Sequence, residues 1–404
     1  MFGTYGVVLR TPGARAFSAA GLVARLPMSM HALSIVLAVT LSGGSYATAG
    51  IAAGIGTGAH AVASPVQARI ADRLGQSKML APLLFAHGLA LVALIAVVGR
   101  VAVGELPFGL LAAAALLAGA TFPQFGALVR ARWASLESVA GRLHTAYAWE
   151  SALDEVAFVL GPVVVVVLAT NIHPVAGLAA VMVLTLSGVF VYASLRATEP
   201  PIRSAVTIGR RDHLPMVTLT WTVAAFVFMG AIFGTVELST VAVADEFGVT
   251  AAAGPALAAF AAGSLIAGLT SGTIHWKVSS RRRFVVGQAA LTVAVLPLAF
   301  VGSLPLLFVA VFVAGFAIAP TLIAGFSMVQ AAVPASRVTE GLAWASTAIT
   351  VGAAAGAAFA GPIIDRIGGS DTYLVAFACG VLATLACLVG TSVDRPARDV
   401  PEPV

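Results

Sequence analysis

The sequence contains few charged residues. Only 10% of its 404 residues are Asp, Glu, Lys or Arg, while 59% are hydrophobic, and the mean hydropathy is +1.00. Soluble domains carry about 25% charged and about 50% apolar residues. Apolar runs of about 20 residues, the length that crosses a bilayer, recur from end to end. The composition therefore excludes a soluble globular protein and indicates an integral membrane protein.

The residues of metal, nucleotide and amide-rich sites are also scarce. The two cysteines, Cys379 and Cys387, are too few and too close together for a disulfide framework or a metal cluster. Neither a G-x-x-x-x-G-K-[ST] loop nor a G-x-S-x-G turn is present. A single Asn and five Gln supply few of the amide hydrogen bonds that a sugar site needs. We therefore predict no cofactor, no metal and no enzymatic activity, and an apolar or amphipathic ligand.

Twelve apolar segments predict twelve transmembrane helices. They cover residues 17–41, 45–67, 79–99, 107–129, 144–170, 174–195, 216–243, 251–274, 284–302, 305–331, 341–364 and 373–393. A polar linker separates the first six segments from the last six. The predicted organisation is an N-terminal six-helix half at 1–195, a cytoplasmic linker at 196–215, a C-terminal six-helix half at 216–393 and a Pro-rich disordered tail at 394–404.

The distribution of Lys and Arg predicts the orientation. With the N-terminus inside, Arg100 and Arg366 fall outside and Arg25 lies within the first segment, so 19 of the 22 basic residues are on the inner side. Both termini are therefore predicted to be cytoplasmic, as in a multi-pass protein of a cell membrane, here a bacterial inner membrane. The net charge of +5 follows from this topology and does not indicate nucleic-acid binding.

The two halves resemble each other in sequence. Trp149, Ser151 and Gly161 recur 195 residues later as Trp344, Ser346 and Gly356, while Gly50, Ile70 and Arg73 match Gly254, Ile274 and Lys277 at an offset of 204. Halves repeated in parallel orientation imply a substrate path between them near the middle of the membrane.

A loop motif makes a family resemblance specific. Residues 68–78, ARIADRLGQSK, resemble the signature G-x-L-A-D-R-x-G-R-[RK]-[RK] of the major facilitator superfamily. Asp72, Arg73, Gly75 and Lys78 match, and a degenerate copy, GTIHWKVSSRR, occupies 272–282. The resemblance implies an all-α membrane protein with twelve transmembrane helices in two pseudo-symmetric six-helix bundles. The pattern is most similar to bacterial twelve-helix drug/proton antiporters.

The resemblance also implies a gate. A tight turn at Gly75 would let Asp72 approach a helix N-terminus or an arginine, because both attract a carboxylate. By the family's pattern the partners are Arg130 and the residues around 339–341. Asp72, Arg73, Gly75 and Arg130 are therefore candidate gating residues, although the basic ones could serve only to set topology.

Three acids stand within the apolar segment 143–162. A charge near the bilayer centre costs roughly 3 kcal/mol or more, so Glu150, Asp154 and Glu155 need a reason to be there. Glu150 and Asp154 share a helix face, and Glu155 points about 100° away from Asp154. The second half has Ala, Ile and Thr at the equivalent positions. Arg25 lies at a similar depth and is the expected ion-pair partner of Glu150, which leaves Asp154 and Glu155 as the sharper candidates to couple to protons.

Other polar residues within the apolar segments are weaker candidates. Glu237, near the outer end of the seventh segment, could contact substrate or protons or simply reach water. His31 and Gln124 lie on segments that line the cavity in this superfamily. Trp149 fits packing between the halves better than stacking on substrate. The pair Gly161-Pro162 resembles part of an antiporter signature but also fits a simple kink.

These features together predict an alternating-access secondary transporter. Its expected partners are a small solute, protons and the lipid bilayer, with no nucleic acid. The preferred activity is proton-coupled efflux. Proton-coupled uptake or facilitated diffusion of a small metabolite uses the same scaffold and stays open. From another class, a membrane sensor or assembly partner that transports nothing stays open as well, but it would not need buried acids.

Overall fold

The computed structural model describes residues 2–136, 142–201, 216–271, 278–333 and 338–393. In these ranges the regular structure is helical. The first nine helices are α1 (Phe2–Leu9), α2 (Ala14–Arg25), α3 (Pro27–Thr40), α4 (Tyr46–Leu74), α5 (Gln76–Ala102), α6 (Phe108–Thr121), α7 (Phe125–Ser135), α8 (Leu143–Asn171) and α9 (Ala176–Ser194). The other seven are α10 (Met216–Glu246), α11 (Ala253–Ser271), α12 (Ser280–Val295), α13 (Leu304–Gly315), α14 (Ile318–Ala332), α15 (Val338–Ile367) and α16 (Gly369–Val393). Short 3-10 helices cover Arg196–Thr198, Thr250–Ala252 and Leu296–Phe300.

Most of these helices are long and apolar enough to cross a membrane. Over the part of the chain that the structure describes, eleven helical segments meet that description. The remaining predicted segment, the second in chain order, is α4. It has 29 residues but carries Gly and His where the others carry larger apolar side chains. The predicted all-α membrane architecture is confirmed. The predicted linker beyond residue 201 and the tail at 394–404 lie outside the described residues.

Three segments predicted as continuous helices are interrupted, and one of them is the tenth, which is divided into α13 and α14 at Phe316 and Ala317. The first is divided into α2 and α3 just before Pro27, whose missing N–H group cannot continue the helical ladder. The fourth is divided into α6 and α7 at Pro123, since the residue before a proline is forced out of the helical region and Phe122 has ψ of 123°. The interruptions at Pro27 and Pro123 leave backbone groups without their usual partners in the helix.

Gln67 of α4 satisfies the groups freed by the interruption at Pro123. Its Nε2 donates to the carbonyl oxygens of Ala120 at 2.9 Å and Phe122 at 3.0 Å, and its Oε1 accepts the Gln124 N–H at 3.1 Å. Unpaired backbone groups away from water are costly. The buried Gln67 amide therefore stabilises the bend between α6 and α7 and ties it to α4.

The two halves of the chain are in contact at one end of the bundle. We call this end, where α4 begins, the Tyr46 end, and the opposite end, where α4 stops, the Gly75 end. An apolar cluster at the Tyr46 end contains residues of α3, α4 and α8 together with Leu238, Val241 and Ala360 of the second half. A second cluster at the Gly75 end, around Phe17 and Trp133, contains first-half residues only.

Small residues allow the close approach at the Tyr46 end. A Cβ atom at Gly50 or Gly54 of α4 would collide with the carbonyl oxygen of Ala357 or Ala354 of α15. Gly254 of α11 lies equally close to α8. Helices in membranes pack through such small residues. Toward the Gly75 end, by contrast, Val62 of α4 and Trp344 of α15 are exposed.

Candidate functional site

Arg25, the last residue of α2, lies at the centre of a charged cluster inside the first half. The interruption before Pro27 leaves its side chain directed at α8, and only 1% of that side chain is exposed. One guanidinium nitrogen forms an ion pair with Glu150, and the other donates to Asp154 Oδ1 at 3.0 Å. A single arginine therefore binds two of the three acids that the sequence singled out. The expectation that Arg25 would neutralise only one acid was wrong.

Glu150 is fully buried and is surrounded by donors. Its Oε1 accepts the Ser18 hydroxyl at 2.7 Å and the Trp133 indole N–H at 2.7 Å, while Oε2 faces Arg25. A carboxylate with hydrogen-bond donors on both oxygens can remain charged in an apolar interior. Glu150 therefore connects α2, α7 and α8 at one point.

Asp154 lies one helical turn further along α8 and bridges two arginines. In addition to Arg25, it accepts a hydrogen bond from Arg130 Nη2 at 2.8 Å. Asp154 is 20% exposed and Arg130 is 34% exposed, so this part of the cluster reaches the protein surface. Arg130 also donates to the Gly126 carbonyl oxygen at 3.3 Å. Two arginines and two carboxylates make the cluster neutral, and we refer to Arg25, Arg130, Glu150 and Asp154 as the charge cluster.

Glu155 differs from the other two acids. It is half-buried and forms no hydrogen bond or ion pair with any residue that the structure describes. Glu155 precedes Pro162 by seven residues, so both lie on one face of α8. At the Tyr46 end this face packs against Gly254 of α11. Glu155 therefore lies on the face of α8 that packs against α11, nearer the Gly75 end than the contact with Gly254.

Glu237 occupies a comparable place in the second half. It lies on α10, half-buried, and none of the described residues binds its carboxylate. Gly230, seven residues earlier on the same face, lies against Ile349 of α15. The structure does not bring Glu237 into contact with the charge cluster. Among the described residues it is a second acid without a cation, and it lies on the face of α10 that packs against α15.

The predicted gating residues are not in contact with one another. Gly75 joins α4 to α5 with φ of 91°, a conformation that glycine adopts readily, so the predicted tight turn is present. Asp72 and Arg73 are exposed, and Asp72 has no bonding partner among the described residues. Arg130 binds Asp154 instead of Asp72. Residues 272–277 of the degenerate copy lie outside the described residues, as do the side chains at 339–341.

His31 belongs to a histidine cluster that sequence reasoning did not find. The rings of His31, His60 and His87, from α3, α4 and α5, surround Phe122 with centroid distances of 5.9, 5.2 and 5.6 Å. Both ring nitrogens of His31 are buried without a partner among the described residues. The three histidines are spaced far apart in sequence, and no local pattern connects them. In the described ranges no three His, Cys, Asp or Glu side chains are arranged to hold a metal ion.

Gln124 and Trp149 are held within the first half. Gln124 is half-buried and begins α7, where its N–H binds Gln67. The Trp149 indole donates to Ser18 Oγ at 3.0 Å and packs against the first-half cluster around Phe17. Among the described residues these contacts of Trp149 lie in the first half, and its packing between the halves stays a prediction. The role of Ser18, which links Trp149 to Glu150, had no signal in the sequence.

Comparison with known proteins identifies the family. The model of the Major Facilitator Superfamily matches residues 17–357 and 240–404. The chain belongs to this superfamily. Its members are transporters of the fold described above, so the chain is a multi-pass membrane transporter and not an enzyme. No curated protein sequence matches the chain.

Solved superfamily structures share this fold. A POT family peptide transporter in an auto-inhibited form superposes with a TM-score of 0.72 at 13% identity, covering 97% of this chain and 98% of that one. The nucleoside transporter NupG gives 0.70 at 13% identity, covering 96% and 100%. A bacterial homologue of the iron transporter ferroportin, in an inward-facing state, gives 0.69 at 14%, covering 94% and 98%. At such low identity the likeness extends to the fold alone.

Proposed function

We propose that this superfamily member is an alternating-access transporter that exports a small apolar or amphipathic solute in exchange for protons. The observation that carries the proposal is the contrast among the three acids of α8. Glu150 and Asp154 are bound by arginines, whereas Glu155 binds no cation among the described residues and lies on the face of α8 that packs against α11. Ionisable residues within membrane spans mark substrate and ion pathways and proton relays.

We expect the charge cluster to keep its charges and Glu155 to carry the proton. The cluster's two arginines and two carboxylates balance, so a proton added to Glu150 would leave a buried arginine with less compensation, which is unfavourable. A proton added to Glu155 removes a charge that nothing balances. Glu155 is therefore the residue that we expect to bind and release the proton, with Glu237 as a second carrier in the other half.

Proton binding can be linked to the movement of the halves. The face of α8 that carries Glu155 is the face that packs on α11 at the Tyr46 end. Closing the Gly75 end would bring a charged Glu155 toward an apolar partner, at a cost of several kcal/mol for a bare carboxylate. A neutral Glu155 avoids most of that cost. Protonation would thus favour the state in which the Gly75 end is closed.

Exposed apolar side chains of α8 and α4 favour an apolar or amphipathic solute. Phe158, four residues before Pro162 on the same face of α8, is exposed, and so is Val62, four residues after Gly58, which faces α15. Apolar walls with one acid suit a hydrophobic or cationic amphiphile. With both termini in the cytoplasm of a bacterial cell, as the basic loops predict, the Gly75 end opens inward and collects such a solute for export.

The test is proton and solute movement in reconstituted vesicles. Ethidium serves as the amphipathic probe, and a trapped pH dye reports protons. We expect ethidium to drive proton movement with the wild-type chain, and Glu155→Gln to reduce that movement at least tenfold while the protein remains folded. Glu105→Gln is the matched control, because Glu105 pairs with Arg100 in an exposed loop.

The same assay separates the other functions. Ethidium movement that is unaffected by Glu155→Gln and unaccompanied by protons would indicate facilitated diffusion. Movement of both in the same direction would indicate uptake. A chain that binds ethidium but moves neither the probe nor protons would fit a sensor, and the transport proposal would be wrong.

A further inference from the structure

The contact that joins the two halves most directly lies at the Tyr46 end, where a carboxylate caps a helix of the other half. Asp365, in the last turns of α15, accepts the backbone N–H of Tyr46 on Oδ1 at 2.9 Å and that of Ala47 on Oδ2 at 2.7 Å. The first N–H groups of a helix have no partner within it, and a carboxylate there is favoured by the helix dipole. Asp365 thus binds the first two N–H groups of α4, while Ser45 of the first half accepts the Thr48 N–H at 3.1 Å.

Neighbouring acids extend this contact. Asp245, at the end of α10, accepts the Tyr46 hydroxyl at 3.3 Å and the Thr250 hydroxyl at 2.6 Å. Glu246 accepts the N–H of Gly369, the first residue of α16, at 2.5 Å. The ends of α10 and α15 therefore hold the start of α4 and of α16 together.

The sequence around Asp365 repeats the gating motif at the opposite end of the bundle. Asp365-Arg366-Ile367-Gly368 has the same pattern as Asp72-Arg73-Leu74-Gly75. Both segments end a long helix, and Gly368 has φ of 87° where Gly75 has 91°. Their surroundings differ, because Asp365 is bonded to the other half and Asp72 to no described residue.

We propose that Asp365 is a gate residue that holds the Tyr46 end closed, at the opposite end of the bundle from the gate that the family resemblance implies for Asp72. Asp365 lies three residues before the glycine turn that ends α15, and it can cap α4 only when the Tyr46 end is closed. The structure has the Asp365 cap formed and the Asp72 side chain unbound, which is the arrangement of a chain closed at one end only. The inference concerns the gates and does not depend on which solute or ion is moved.

The test measures the distance across the Tyr46 end in the full-length protein. Spin labels are attached through Val103→Cys and Phe300→Cys, two exposed positions at this end in opposite halves, in a chain carrying Cys379→Ser and Cys387→Ala. Asp365→Asn removes the charge and one of the two acceptor oxygens, and loss of one such hydrogen bond changes an equilibrium about fivefold. We expect Asp365→Asn to raise the ratio of the longer to the shorter distance by about that factor, without any solute present.

Two further variants isolate the cap. Tyr46→Pro removes the N–H that binds Oδ1 but suits the first position of a helix, so it should also lengthen the distance. Tyr46→Phe keeps that N–H and loses only the hydroxyl that binds Asp245, and should have a smaller effect. Tyr46→Pro also serves if Asp365→Asn does not fold.

Asp371→Asn is the matched control, since Asp371 is an exposed acid in the first turn of α16 at the same end. It should leave the distances as in the wild type. The proposal is overturned if Asp365→Asn and Tyr46→Pro both give the wild-type distances, or if Asp371→Asn gives the same shift as Asp365→Asn.

Discussion

Helices α8 and α15 are repeat-related, and they differ most where function is expected. Both carry Trp-x-Ser followed by Gly at the same spacing. In α8 the positions in between hold Glu150, Asp154 and Glu155. In α15 the equivalent Ala345 is buried in the second-half core, and Thr350 donates to its own helix at Ser346. The two helices therefore share the Trp, Ser and Gly positions, and only the first half has acids between them.

The shared glycine allows two helices to pack closely in each half. Gly161 lets α8 approach α3 at Ser29, and Gly356 lets α15 approach α10 at Ala231. In both halves the fifth spanning segment thus packs closely on the first. The charges of α8 lie one to three turns away from this contact, so the packing and the chemistry can be changed separately.

The largest expected effect comes from removing a charge of the first half. Glu150→Gln places an amide, which itself carries N–H donors, among the donors of Ser18, Trp133 and Arg25. Breaking a buried ion pair by changing one partner costs about 3–5 kcal/mol. We expect a large fall in the thermal unfolding temperature measured by tryptophan fluorescence. A shift no larger than that of Glu105→Gln would show that Glu150 is not held as a charged group.

Substituting the shared glycine should lower the unfolding temperature by a smaller amount, and the amount should differ between the halves. A methyl group added by Gly161→Ala meets the Ser29 side chain, which can rotate away, whereas Gly356→Ala meets the backbone of Ala231, which cannot. Overpacking costs about 1–3 kcal/mol, and we expect Gly356→Ala to lower the unfolding temperature more. Adding Ser29→Ala should recover part of the loss from Gly161→Ala. Equal losses at both glycines, with no recovery, would contradict the contacts described here.

The smallest effect concerns the two tryptophans of the repeat. Trp149→Phe loses the hydrogen bond to Ser18 inside the first half, which is worth about 1 kcal/mol. Trp344 is exposed, and Trp344→Phe should leave the unfolding temperature unchanged. The two variants measured side by side decide whether the repeat has kept one role for both residues. An equal loss from both would mean that it has.

Much of the architecture could be predicted from the sequence, because long apolar segments in a membrane have few alternatives to helices. The interruptions at Pro27 and Pro123 were missed, since the apolar pattern continues through them. Arg25 was recognised as a partner for an acid from its depth alone. Its second bond, to Asp154, depends on the bend before Pro27 and on side-chain direction, which depth does not specify. Ser18, Gln67 and the cap by Asp365 are contacts between distant segments and leave no local pattern.

The side chain of Gln67 has a consequence for how the first half moves. It binds both sides of the bend between α6 and α7 and belongs to α4, five residues before Asp72. Arg130 lies on α7, just beyond the same bend. Through these three hydrogen bonds the end of α4 is joined to the bend that leads into the helix carrying Arg130, so we expect a movement of α4 to displace Arg130 relative to Asp154.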